Sequence, residues 1–131
     1  MRDKDVLKFI KEKEVEFVDL RFTDPRGKLQ HLTMDHTIVD EDMLSDGVFF
    51  DGSSIAGWKA INESDMILKP DTSRIFLDPF TSHNTAVLFC DILDAVKKTP
   101  YERDPRGVAK KAENYLKESG IGDKAFFGPE P

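Results

Sequence analysis

The chain has 131 residues, enough for one full domain or for one small domain plus part of another. Hydrophobic residues make up 39%, including ten phenylalanines, which suffices for a modest core, and the 34% charged fraction is mixed in sign, which argues against disorder. Nineteen basic residues stand against 25 acidic ones, for a net charge of -6 with no basic cluster, which argues against nucleic acid or an anionic membrane as a partner.

Asp3 to Lys13 reads as a short amphipathic helix. Val6, Leu7 and Ile10 fall at helical spacing with Phe9 beside them, acidic Asp3 and Asp5 lie at the start, and Lys11 and Lys13 lie at the end, as the helix dipole favours. Val15 to Phe22 is strand-like, with Val18, Leu20 and Phe22 on one face. Asp24-Pro25-Arg26-Gly27 supplies a turn, because Pro25 presets φ and Gly27 accepts a positive one, and Lys28 to Met34 returns as the second strand of a hairpin. Residues 35–48 are acidic and predicted mostly irregular, with a helical turn near Glu41 to Ser45. A polar loop follows around Asp51 to Trp58. Short strands are expected at Asp65 to Leu68, ended by Pro70, and at Arg74 to Leu77, ended by Pro79. Thr85 to Leu93 is the most apolar strand and is expected to be central. Several strands with one helix and no βαβ rhythm point to an α+β fold.

Cys90 is the only cysteine, so no internal disulfide can form; in an apolar run it reads as a small buried hydrophobe. With neither a signal peptide nor a membrane span visible, the expected setting is reducing and cytoplasmic. Composition changes at Lys97-Lys98-Thr99-Pro100, which reads as a linker. Asp104 then serves as N-cap and Pro105 as the first residue of a helix with an apolar stripe of Val108, Ala112, Tyr115 and Leu116. Glu113 and Lys117 are spaced to pair, and Gly120 stops the helix. Ala125-Phe126-Phe127 is expected to begin another strand. A fresh helix and strand without partners suggest a piece of something longer.

Two constellations carry possible chemistry. Asp51-Gly52-Ser53-Ser54 is by residue type a turn, or else a carboxylate and hydroxyls offered to a cationic or polar ligand. Trp58 could wall a pocket there or simply pack in a core or interface. Glu130, between Pro129 and Pro131, is either a solvated charge or, at the end of a buried strand, an oxygen ligand for a hard cation such as Mg²⁺. His31, His36 and His83 lack the spacing of a zinc site, no phosphate-binding glycine loop is present, and Ser53, Ser54 and Ser64 lack the setting of a hydrolase nucleophile.

The run from Phe50-Asp51-Gly52-Ser53-Ser54-Ile55 through Trp58 to Asn62-Glu63-Ser64-Asp65-Met66 resembles the N-terminal domain of bacterial type I glutamine synthetase. Phe17 to Asp24 looks like that family's first strand and turn. Arg103-Asp104-Pro105-Arg106 and Phe127-Gly128-Pro129-Glu130-Pro131 look like the opening of its catalytic domain. The resemblance implies an N-terminal helix over 1–13, a β-grasp domain over 14–97, and a linker with an incomplete catalytic domain over 98–131. It implies ATP-dependent ligation of ammonia to glutamate through a γ-glutamyl phosphate, with Mg²⁺ or Mn²⁺, in a homo-oligomer, usually a dodecamer, whose active sites lie between subunits. By the same resemblance Asp51 binds ammonium across the interface, Ser54 stands beside it, Trp58 lies near the nucleotide side, and Glu130 is the first metal carboxylate. Most ligands of ATP and metal would lie beyond Pro131, so the isolated chain is expected to be inactive. The alternatives are a related ligase joining glutamate to another amine, and a β-grasp assembly module that catalyses nothing.

Overall fold

The structure is a computed structural model that describes residues 2–55 and 65–130. Helix α1 spans Asp3–Glu12, and its first turn is closed by the Asp5 carboxylate, which accepts the Arg2 N–H at 2.8 Å. Its predicted face is the one that packs: Val6 and Ile10 are buried. Strands β1 (Phe17–Thr23) and β2 (Leu29–Asp35) form the expected hairpin, in register from Phe17 opposite Asp35 to Thr23 opposite Leu29. Asp24 organises the turn. Its carboxylate accepts N–H groups from Arg26 and Lys28 at 2.9 Å and the Gln30 amide at 3.1 Å, and Gly27 takes φ +86°.

Residues 35–48 are more ordered than their composition suggests. A 3-10 turn (His36–Ile38) leads to α2 (Glu41–Asp46), whose N-cap Asp40 accepts the Met43 N–H at 2.8 Å. Gly47 ends α2 at φ +82° and turns the chain into β3, Val48–Asp51. The strand ends at Asp51, the first residue of the expected loop. Tertiary pairing completes it: Phe49 and Phe50 lie opposite Ile67 and Met66 of β4 (Asp65–Pro70), and the Phe50 ring packs 5.3 Å from Phe22.

A two-residue strand β5 (Phe76–Leu77), shorter than expected, and the long β6 (Thr85–Asp94) complete one sheet in the order β2-β1-β6-β4-β3, with β5 alongside β6. Strand β6 is central as predicted. It runs parallel to β1, placing Val18 beside Ala86 and Leu20 beside Leu88, and antiparallel to β4. Alternation then sorts the faces. Val18, Leu20 and Phe22 of β1 and Ala86, Leu88, Cys90 and Ile92 of β6 join α1 and α2 in the core, while Asp19 and Arg21 project the other way.

Helix α3 (Pro105–Ser119) begins and ends as predicted. Asp104 caps it through Arg106 N–H at 3.1 Å, Gly120 closes it in the left-handed region, and Lys117 reaches Glu113 at 3.4 Å. The apolar stripe of α3 buries nothing among the described residues, with Val108 54% and Tyr115 74% exposed, in keeping with a helix that lacks partner elements. One expectation fails beyond the sheet. Ala125-Phe126-Phe127 forms no strand, and both rings are exposed. A strand needs a neighbour for its N–H and C=O groups, and none among the described residues is paired with this segment.

Candidate functional site

Strand β3 lies at the edge of the sheet and ends at Asp51, where a 3-10 turn (Gly52–Ser54) begins. Asp51 is the cap of that turn. Its Oδ1 accepts the Ser53 N–H at 2.9 Å and the Ser53 hydroxyl at 2.6 Å. The Ser54 hydroxyl donates to the Asp51 carbonyl at 2.6 Å. Gly52 is buried and Ile55 packs on the core, so the turn is anchored while Asp51 and Ser54 stay exposed. The two readings of this motif therefore coexist: the turn bonding is what holds the carboxylate at the surface. Trp58, Asn62, Glu63 and Ser64 lie outside the described residues.

The pairing of β3 with β4 adds a feature that residue types did not reveal. Asp51 lies directly opposite Asp65, and both are exposed. Opposed like charges on neighbouring strands oppose folding, and their joint field favours a cation between or above them. The signal was present in the sequence only as a register, and the register could not be written without knowing that β3 exists.

Glu130 is exposed. Among the described residues no three His, Cys, Asp or Glu side chains converge as metal ligands. A hard divalent cation takes about six oxygen donors, and one carboxylate offers at most two. The described residues do not by themselves make a metal site.

Elsewhere the acidic residues are tied into three structural networks. On the sheet face opposite the core, buried Asp19 accepts Arg21 Nε at 2.7 Å, His31 Nδ1 at 2.7 Å and the Thr33 hydroxyl at 2.8 Å. Burial alone would raise the Asp19 pKa, but the Arg21, His31 and Thr33 hydrogen bonds outweigh it and hold the carboxyl below its ordinary range. Arg21 reaches on to Asp78 at 2.6 Å. His31 is thus a structural partner at an exposed rim. A second network joins Arg106 to Asp71 and Asp91 and Lys110 to Asp91. Third, Asp104 is 1% exposed and accepts the Ile92 N–H at 3.0 Å; burial pushes its pKa up. A groove of about 590 Å³ between α3 and residues 123–127, lined by Ala109, Ala112, Leu116 and Phe126 among others, includes no residue of the Asp51 turn.

A mixed sheet with a central parallel pair and a helix-covered inner face defines this as a β-grasp domain. The profile of the family described as "Glutamine synthetase, beta-Grasp domain" matches residues 14–95, and the chain belongs to that family. It is 68% identical over 126 residues to a glutamine synthetase of Rhizobium meliloti, covering 96% of this chain and 27% of the relative. A protein of Cupriavidus pinatubonensis named 3-hydroxylaminophenol mutase is 54% identical over 127 residues, covering 97% of this chain and 27% of that one. Among solved structures, Plasmodium falciparum glutamine synthetase superposes with a TM-score of 0.85 at 27% identity, over 95% of this chain and 24% of that one. The chain thus spans about a quarter of the length of the relatives it matches. No helix among the described residues is long and apolar enough to cross a membrane.

Proposed function

We propose that this chain is the ammonium-loop portion of a glutamine synthetase, one that ligates ammonia to glutamate at the expense of ATP in a homo-oligomer, with the Asp51 turn completing the active site of a neighbouring subunit. The observation that carries the reading is the exposed Asp51 carboxylate, held by Ser53 at the sheet edge opposite Asp65. One carboxylate 4 Å from an ammonium ion attracts it by about 4 kcal/mol at an effective dielectric of 20. Asp65 adds to that field. The exposed Ser54 hydroxyl, bonded to the Asp51 carbonyl, keeps an oxygen that can accept from the ion.

Capture, rather than proton removal, suits Asp51. An ordinary aspartate titrates near ~3.9 and is a weak base at neutral pH. Glutamate itself is a poor acyl electrophile, since its leaving group would be oxide. Phosphorylation by ATP makes it reactive, and Mg²⁺ or Mn²⁺ would neutralise the transferring group. Glu130 would contribute one donor to that ion, and Trp58 would lie toward the nucleotide.

The test is Asp51→Asn in the full-length polypeptide carrying this segment. The KM for ammonium should rise at least about tenfold, the loss of roughly 1.4 kcal/mol of binding, while ATP affinity stays nearly constant. Unchanged kinetics at low ammonium would overturn the role. The 131-residue chain alone should make no glutamine from glutamate, ATP, Mg²⁺ and ammonium. Turnover by that chain would show that the chemistry needs nothing outside it.

A further inference from the structure

Helix α3 has 15 residues and buries none of them, so apolar packing does not explain its attachment to the sheet. What attaches it is polar and confined to its first two turns. The β1 ladder on β6 ends at Arg21 opposite Phe89. Beyond that point the Ile92 carbonyl accepts the Tyr101 N–H at 2.9 Å, and the Ile92 N–H donates to Asp104 at 3.0 Å. The Asp104 carboxylate therefore acts as a substitute strand edge at one oxygen and as the cap of α3 at the other.

Two residues on, Arg106 forks onto two carboxylates. Its Nε donates to Asp91 of β6 at 2.9 Å, and its Nη2 donates to Asp71, just past β4. Asp71 is itself located by its N–H on the Phe89 carbonyl at 2.8 Å. One turn further, Lys110 reaches the other Asp91 oxygen at 2.5 Å. The Arg106, Asp71 and Asp91 side chains are only 30%, 26% and 23% exposed, so water screens them incompletely. A planar guanidinium that engages two carboxylates, one on β6 and one just past the end of β4, fixes a direction as well as a distance, which a lysine ammonium cannot.

We propose that Arg106 is a positioning residue: its fork onto Asp71 and Asp91 sets the angle at which α3 leaves the sheet. The inference concerns this chain alone and does not rest on the proposed reaction.

The test uses residual dipolar couplings of backbone amides in the isotope-labelled 131-residue chain. In the unsubstituted chain the α3 couplings should fit the alignment tensor determined from the sheet. In Arg106→Leu, which keeps an apolar stem, the sheet couplings should persist while those of α3 fall to less than half. Asp91→Asn should act in the same direction, and Arg106→Lys should fall between. Unchanged α3 couplings in Arg106→Leu would overturn the proposal, as would α3 couplings that never fit the sheet's tensor. Loss of the sheet's own couplings in that variant would assign Arg106 to folding instead and would overturn it equally.

Discussion

Asp19→Asn tests whether the polar face of the sheet contributes to stability as its geometry implies. Three donors converge on the Asp19 carboxylate: Arg21 Nε, His31 Nδ1 and Thr33 Oγ1. An amide in its place can accept on one side only: with its NH₂ toward Arg21 it sets donor against donor, and with its NH₂ toward His31 and Thr33 it forces the imidazole Nδ1 and the hydroxyl to accept instead of donate. Hydrogen bonds to a charged group contribute about 1.5–3 kcal/mol each. The Arg21 side chain keeps Asp78 and is 22% exposed, and that of His31 is 62% exposed, so water recovers part of the loss. The expected cost is about 2 kcal/mol at pH 7, a fall in Tm of roughly 6–10 °C. The pH dependence follows from the depressed carboxyl pKa. Its stabilisation is fully present above the unfolded value near ~3.9 and is lost as pH falls through the lower folded value. The gap between parent and variant should therefore be full at pH 7 and nearly closed well below the folded pKa. Urea midpoints followed by far-ultraviolet circular dichroism at neutral and acid pH measure both. A gap below about 0.5 kcal/mol at pH 7, within the scatter of ordinary surface changes, would refute the reasoning, as would one that does not shrink in acid.

Gly47 and Gly27 share a positive φ but not their surroundings. At Gly47 a methyl would come within 2.5 Å of the Ile67 side chain and the Leu68 carbonyl oxygen, whereas at Gly27 nothing lies within 4 Å. Gly27→Ala should cost about 1–2 kcal/mol from backbone strain alone, and Gly47→Ala a further 1–3 kcal/mol or so from overpacking, a difference that thermal unfolding would resolve. Cys90 is 1% exposed, and burial drives its thiol pKa far up. It should resist a thiol-reactive dye in the native chain and react promptly once urea opens the sheet; fast native labelling would contradict the burial.

Much of the fold was legible because the relevant signals are local. The Asp24–Gly27 turn, the Val18–Leu20–Phe22 alternation and the Asp104–Pro105 helix start each rest on the chemistry of a few adjacent residues. Strand β3 was not read from the sequence: Val48-Phe49-Phe50 is strand-prone, but it is a short run between Gly47 and Asp51, and its pairing with β4 completes it. For the same reason the Asp51–Asp65 opposition and the His31–Asp19 contact stayed hidden, since both depend on which residues a register sets side by side. The α3 stripe shows the converse. Periodicity announced an apolar face correctly, yet said nothing of whether the chain in hand covers it.

The parallel seam between β1 and β6 joins residues separated by nearly seventy positions, Phe17 with Thr85 and Arg21 with Phe89. Contacts of such long sequence separation carry a loop-closure cost before they return any stabilisation. During synthesis on the ribosome, the β6-facing edge of β1 therefore stays unpaired until the central strand has cleared the exit tunnel.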